Sequence, residues 1–314
     1  MHNGWHVGVV IPAKNEECFI LEVLETIPKC VDYVVVIDDG STDNTSEIVK
    51  QYNCKSYQLQ LISLDGLGVG AAIDKGHQKM LNIASKPFVS VVMAGDGQMD
   101  PGDLLRLINP ITENKFDYVK GNRFSHPDGV SNMPLIRKIA SQILAFITTL
   151  ASGRKTNDPQ CGYTASSHLI LQEWNWKRSW PTYGYPNYWL IELSAKCFRV
   201  GEVPVKSLYG DEKSNLRIVK FFISVGFMML IMHHKRCLTM LFNRDVTPHS
   251  LLSLISYLMG WIALLPNIST DIEREIVSNP LILILFTIIC WTCAHIFDRL
   301  AVTTREELRT NAQT

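Results

Sequence analysis

Three strand-length runs, VGVVIPA at 7–13, YVVVID at 33–38 and FVSVVMA at 88–94, are rich in valine and nearly free of polar side chains. Runs of this kind suit strands buried on both faces, as in a parallel sheet covered by helices. Amphipathic stretches lie between and around them. EECFILEVLETIP, TDNTSEIVKQYN and GAAIDKGHQKMLNIA carry apolar residues at helical spacing, with Thr42 or Asp43 available to cap the second. A strand-like DYVKGNRF follows, then a helical LIRKIASQILAFITTLA whose largely apolar surface also holds Arg137 and Lys138. That helix packs on the sheet or faces something greasy. The alternation predicts an α/β fold over 1–215, a Rossmann-like, mostly parallel sheet flanked by helices with its active loops at the strand ends.

Each apolar run ends on a polar loop: PAKNE after the first, DDGSTDNT after the second, GDGQMDP after the third. Carboxylates are costly to bury unpaired, so such loops mark either turns or a site that needs anionic oxygens. Asp38 and Asp39 can accept hydrogen bonds from a nucleobase or ribose; an Asp-Gly turn with a helix cap explains them equally. Asp96 and Gln98 can present oxygens to Mg²⁺ or Mn²⁺, while a turn leading through Asp100 and Pro101 into a helix is the plainer account.

The character changes after residue 215. LRIVKFFISVGFMMLIMHHKRCLTMLF, an apolar stretch bracketed by basic residues, reads as an interfacial helix over 216–245, with a core helix as the alternative. LLSLISYLMGWIALLP and PLILILFTIICWTCAHIF are nearly free of charge and flank the acidic TDIEREIVSN. They are expected as two transmembrane helices within 246–300, or as a re-entrant pair, followed by a tail at 301–314. Basic residues gather before the first (His233 to Arg236, Arg244) and after the second (Arg299, Arg305, Arg309), which keeps both ends cytosolic. The first residues show no secretory signal, so the N-terminal domain is expected in the cytosol.

Thirty basic and thirty acidic side chains cancel, which argues against nucleic acid as a partner and makes any anion binding local. Of eight cysteines only Cys290 and Cys293 form a C-x-x-C, inside an apolar run where packing is the simpler explanation. The histidines, His233 and His234 included, show no ligand-like spacing and read as interfacial. Trp174, Trp176 and Trp180 suit either a headgroup level or buried packing.

In this order, PAKNE, DDGSTDNT, GDGQMDP, GNRF, DPQCGY and GEVPV resemble the family 2 glycosyltransferases with the GT-A fold. They are most similar to the polyprenyl-phosphate sugar transferase branch, the dolichyl-phosphate mannose synthases and polyprenyl-phosphate glucosyltransferases. The motifs span residues 7–215. The resemblance implies a membrane-attached, inverting enzyme that moves a hexose from a UDP- or GDP-sugar to a polyprenyl phosphate, dolichyl or undecaprenyl, using Mg²⁺ or Mn²⁺. It implies multi-pass attachment to a cell membrane or endomembrane, with the catalytic domain facing the cytosol. Nucleotide-sugar contacts fall on Pro12, Asn15, Glu16, Asp38, Asp39, Asp158 and Lys213, and metal ligands on Asp96 and Gln98. Acceptor-phosphate ligands fall on Arg123, Arg137 and Ser141, so that Asp96, Arg123 and Arg137 stand nearest the chemistry. Lys213 with Ser214 resembles a loop that closes over the nucleotide, with a surface turn as the alternative; Asp158 serves equally as part of an Asp-Pro turn.

The acceptor chemistry also has a physical side. A phosphate monoester is anionic at neutral pH, so it needs no strong base to become a nucleophile; the task is to hold two anions together, for which arginine's planar fork is suited. Arg137 alternatively belongs to a solvated or headgroup-facing helix surface. Two departures stand out. Ala94 replaces the first acid of the usual Asp-x-Asp, and Val69 in GLGVGAA replaces a lysine common in relatives. Ala94 motivates a second reading, a non-catalytic nucleotide-sugar-binding membrane scaffold; a third keeps the enzyme and gives it a saccharide or a phosphate-free lipid as acceptor. A dinucleotide oxidoreductase is disfavoured, since PAKNE stands where a G-x-G-x-x-G turn is needed. Glu192 reads as a core or helix-surface acid in preference to a sugar contact, and a homo-oligomer is left open.

Overall fold

The computed structural model describes residues 1–53, 55–131, 133–208, 218–242, 246–265 and 280–311. Lys213, Ser214, Arg244 and the acidic linker TDIEREIVSN lie outside the described residues, so the loop expected to close over the nucleotide is not among them.

The expected strands form as β1 (His6–Ala13), β2 (Tyr33–Asp38), β4 (Phe88–Val92) and β5 (Tyr118–Asn122). Three more complete the sheet: β3 (Gln58–Ser63), β6 (Thr164–Ser167) and β7 (Val200–Pro204), which carries most of GEVPV. The order is β3-β2-β1-β4-β6-β5-β7, parallel except for β6, which runs antiparallel to both β4 and β5.

Strand alternation divides the core. On β1, Val7, Val9 and Ile11 face one layer and Val10 the other. The first layer holds α1 (Ile20–Glu25), α2 (Thr45–Gln51) and α4 (Leu104–Thr112), through Ile20, Leu24, Val49, Leu107 and Ile108. The second holds α3 (Val69–Ile83), α5 (Leu135–Ser152), α6 (His168–Glu173) and α7 (Tyr185–Ala195), through Ile73, Met80, Leu144, Ile170 and Trp189. Gly76 lets α3 approach β1 closely: a Cβ there would lie 2.2 Å from a Val10 methyl. The first helix is shorter than its pattern suggests, because residues 14–19 are held in a loop before Ile20.

The C-terminal third is helical over its described residues. α8 (Ile218–Phe242) packs against α5 and α7, and is followed by α9 (Pro248–Leu264) and α10 (Pro280–Asn311). α10 continues through 301–311, where a tail was expected. It is long and apolar enough to cross a membrane; α9, with 17 residues, is shorter. The two pack together, Ser253 Oγ donating to the Ala294 carbonyl (2.9 Å) and Gly260 lying directly against Trp291.

Ion pairs clamp this helical part to the sheet domain and to itself. Arg236 on α8 binds both oxygens of Asp298 on α10 (2.9 and 2.6 Å) with both side chains buried. Arg154 pairs with Glu306, and Arg309 with Glu173 at 2.7 Å.

Candidate active site

β1 and β4 are neighbours, yet the chain runs from β1 to β2 and β3 on one side and returns to β4 on the other. A crevice opens at such a switch point, beyond the carboxyl ends of the strands. Gly95 N–H donates to the Pro12 carbonyl (3.0 Å) and Asp39 N–H to the Ala13 carbonyl (2.9 Å), so all three expected loops meet there.

Asn15 takes a left-handed φ of 58°, a conformation asparagine tolerates better than most residues. Its Oδ1 accepts from Thr42 N–H (2.8 Å) while its own N–H donates to Ser41 Oγ (2.9 Å); Glu16 N–H donates to Thr45 Oγ1 (2.8 Å). PAKNE and DDGSTDNT are therefore stitched into one unit. Asp38 accepts from Ser41 N–H (2.9 Å) and from the Ser46 hydroxyl. Asp39 reaches the next loop and accepts from Leu67 N–H (2.7 Å) and Gly68 N–H (2.8 Å). Both aspartates are buried and shape loops, and a carboxylate's remaining lone pairs leave each some capacity toward a ligand. The glycines of GLGVGAA admit the chain's own backbone: a Cβ on Gly70 would lie 2.1 Å from the Trp180 carbonyl oxygen, and Ala71 N–H donates to the Pro181 carbonyl (3.1 Å).

Asp96 Oδ1 accepts from Gln98 N–H (3.0 Å) across Gly97, whose φ is 70°. Burial raises the Asp96 carboxyl above its ordinary value, opposed by backbone N–H donors and by the charge of Arg137. Arg137 is thus close enough to act on Asp96. It lies in the first turn of α5, with Ser141 four residues on along the same face and buried. The Gln98 carbonyl accepts from Leu208 N–H (2.9 Å), tying this loop to the segment after β7. With Ala94 in place of an acid, the loop offers Asp96 and the Gln98 amide, while Asp100 caps the next turn by accepting from Gly102 N–H (2.8 Å). Such a thin set of hard oxygen donors fits a divalent cation shared with a diphosphate and does not fit a closed protein cage.

Arg123 and Asp158 meet each other. Nε and Nη2 donate to Oδ2 (2.7 Å) and Oδ1 (2.8 Å), the Arg123 N–H adds a third bond (3.0 Å), and the side chains are 8% and 0% exposed. The guanidinium fork expected to grip phosphate thus grips a carboxylate. Behind it lies buried Lys120, whose Nζ donates to the Cys161 carbonyl. The DPQCGY turn is pinned by Gln160 Nε2 donating to Asn187 Oδ1, and Asn187 Nδ2 in turn donates to Thr148 Oγ1 on α5 (2.7 Å). Asn187 was not singled out from the sequence. Its signal was a lone amide in the apolar YPNYWLIEL, since a buried amide requires partners.

Other sequence candidates sit elsewhere. Glu192 pairs with Lys235 (2.9 Å) between α7 and α8. Trp174 is buried, stacked on Trp189 with ring centres 3.8 Å apart. Cys290 and Cys293 are free thiols. His233 does acquire ligand-like company, Cys237 and Asp298 within 4.8 Å, but Arg236 already holds both Asp298 oxygens and puts a guanidinium where a cation would sit.

This sheet, with an inverted β6 and a carboxylate loop at the switch point, is the GT-A fold. Glucosyl-3-phosphoglycerate synthase from Mycobacterium tuberculosis in complex with UDP matches with a TM-score of 0.53 at 20% identity, over 74% of this chain and 80% of that one. The same enzyme with Mn²⁺, UDP and phosphoglyceric acid also gives 0.53, at 19% identity over 74% of this chain and 79% of that one. The description Glycosyl transferase family 2 fits residues 8–178, and the chain belongs to that family; it is a family 2 glycosyltransferase. Among its relatives are a UDP-N-acetylglucosamine–dolichyl-phosphate N-acetylglucosaminyltransferase of Methanococcus voltae and a dolichyl-phosphate beta-glucosyltransferase of Trichomonas vaginalis. The first is 31% identical over 219 residues, 65% of this chain and 86% of the relative; the second is 27% identical over 224 residues, 66% and 65%.

Proposed function

We propose that this glycosyltransferase moves a sugar from a nucleotide diphosphosugar to a polyprenyl phosphate at a membrane surface. One observation carries the reading: α5 joins the crevice to an uncovered apolar stripe. Leu135, Ile136, Ile139, Ile143 and Phe146 are each between 48% and 71% exposed on it, while Arg137 of the same helix acts on Asp96. A stripe of that size on a soluble surface calls for a cover, and lipid is the cover that also delivers an isoprenoid. α8, α9 and α10 carry exposed apolar side chains as well, and the names of the dolichyl-phosphate relatives support the acceptor class.

In this reading Pro12, Asn15, Glu16, Asp38 and Asp39 shape the nucleotide end of the crevice; Lys213, assigned to the nucleotide by resemblance, lies outside the described residues. Arg137 and Ser141 receive the acceptor phosphate. Arg123 positions Asp158, whose turn borders the sugar. Asp96 and Gln98 would hold Mg²⁺ or Mn²⁺, which supplies positive charge beside the diphosphate. A phosphate oxygen bonds to the anomeric carbon as the bond from that carbon to the diphosphate breaks, in one displacement with inversion. Exclusion of water by the lipid cover disfavours hydrolysis of the donor.

The test is a donor-by-acceptor panel on purified full-length protein in detergent with Mn²⁺. Arg137→Ala, at an exposed position, is expected to raise KM for polyprenyl phosphate about tenfold or more, the worth of a charged hydrogen bond, with an unchanged melting temperature. Unaltered kinetics toward the lipid phosphate would refute the assignment. Ala94 favours one other reading, donor binding without transfer; a panel with binding but neither transfer nor donor hydrolysis would select it.

A further inference from the structure

A second cavity lies toward the opposite end of the strands from the crevice. Its volume is about 530 Å³ and it opens between the end of α7, the middle of α8 and the last turns of α10. The residues just after α7, Lys196 and Cys197, line it immediately before β7 begins, whereas the crevice lies where the strands end. None of the crevice residues lines it.

Its lining is cationic. Lys196, Lys235, Arg236, Arg305 and Arg309 face Glu173 and Glu192. Four of these cations are accounted for: Lys235 pairs with Glu192, Arg309 with Glu173, Arg236 with Asp298, and Lys196 Nζ donates to the Glu173 carbonyl. Arg305 is the exception. It is 4% exposed, and its Nε and Nη1 are buried with no hydrogen-bond partner. Among the described residues no carboxylate pairs with it. A buried guanidinium without a counter-charge is strongly unfavourable, and this one borders an open volume with room for several heavy atoms.

We propose that this cavity is a binding site for a phosphate oxyanion, with Arg305 as its principal ligand. The fork of Arg305 matches two oxygens of a phosphoryl group, and the surplus positive lining supplies the remaining charge balance. Leu308, Met232 and Ile191 give the same cavity an apolar wall, so the phosphoryl group can come from a phospholipid or from solution. Because α10 forms one wall and α7 and α8 another, a bound oxyanion bridges the last helix to the sheet domain and stabilises their joint.

The experiment uses the full chain in uncharged detergent and follows intrinsic tryptophan fluorescence on heating. One arm titrates inorganic phosphate against chloride at constant ionic strength; the other compares nanodiscs of phosphatidylcholine with nanodiscs containing phosphatidic acid. Wild type is expected to melt higher with one probe or both: phosphate in the first arm identifies a soluble anion, and a response to phosphatidic acid alone identifies a lipid headgroup. Arg305→Gln is expected to bind the effective probe about tenfold more weakly or worse, the loss of a charge-assisted contact, and to melt no lower than wild type without the probe. Arg137→Ala, which alters only the crevice, keeps the response. Leu308→Trp fills the cavity without removing a charge and is expected to abolish it, which guards against misfolding of the glutamine variant. Equal responses of wild type and Arg305→Gln, or no response to either probe, would overturn the site.

Discussion

The Arg123–Asp158 pair makes a quantitative prediction that also decides how activity data on Arg123 should be read. Both side chains are buried and joined by two hydrogen bonds, the Arg123 backbone N–H adding a third to Asp158, with Lys120 buried nearby. Burial alone would raise the Asp158 carboxyl; the hydrogen bonds and charge of Arg123, aided by Lys120, hold it below its ordinary value. Asp158→Ala leaves two buried cations without this counter-charge, a loss of about 3–5 kcal/mol. For a domain of this size that corresponds to a melting temperature lower by about 6–20 °C. Arg123→Met should lose a similar amount by stranding Asp158, while the double variant, which removes both charges, should fall well short of the sum. The measurement is a double-mutant cycle by thermal unfolding in detergent, with donor binding read in parallel. Strictly additive losses, or a single-variant loss below about 1 kcal/mol, would refute the claim that the pair is one buried unit. If the cycle behaves as expected, inactivity of Arg123→Ala says nothing about the acceptor, and Arg137 is the position that tests it.

Asp96→Asn keeps the shape of the loop but removes its charged oxygen, and should weaken Mn²⁺-dependent donor binding, measured by calorimetry, with little change in melting temperature. Burial pushes the Asp74 carboxyl on α3 from 3.8 up to about 7. The folded chain then holds a proton that the unfolded chain releases, so stability falls as pH rises from about 4 to about 7. Asp74→Asn should remove that slope and stabilise the protein above pH 7, by about 4 kcal/mol at most, as read from melting temperature against pH; a slope that survives the substitution would contradict it. Gly70→Ala forces a Cβ to 2.1 Å from the Trp180 carbonyl oxygen and should lower stability by about 1–3 kcal/mol through overpacking, measured the same way.

How much of this was readable in the letters depended on what buried each segment. β1, β2 and β4 were legible because continuous valine runs have few other uses. β3 was missed although Gln58, Leu59, Gln60 and Leu61 alternate: it is an edge strand, half-covered, and its short pattern competes with loop readings. β6, written Thr-Ala-Ser-Ser, carries no apolar signal because its place between β4 and β5 is set by tertiary pairing. The crevice loops were legible as polar interruptions of apolar runs, but their internal wiring was not. That Asp39 would clamp Leu67 and Gly68, or that Arg123 would be taken by Asp158, depends on residues 28 to 35 positions apart. Arg305 looked like an ordinary flanking charge, since the contacts that fold α10 past 300 onto Arg154, Phe198 and Glu173 join residues far apart in sequence.

The salt links from α10 to the sheet domain and to α8 have a mechanical meaning. A globular unit on a floppy leash samples many orientations relative to the helices that follow it. Riveted at Arg154–Glu306 and Glu173–Arg309, with α8 and α10 locked together by Arg236–Asp298, this one is mounted like an instrument on a post, and the crevice keeps a fixed bearing relative to α10.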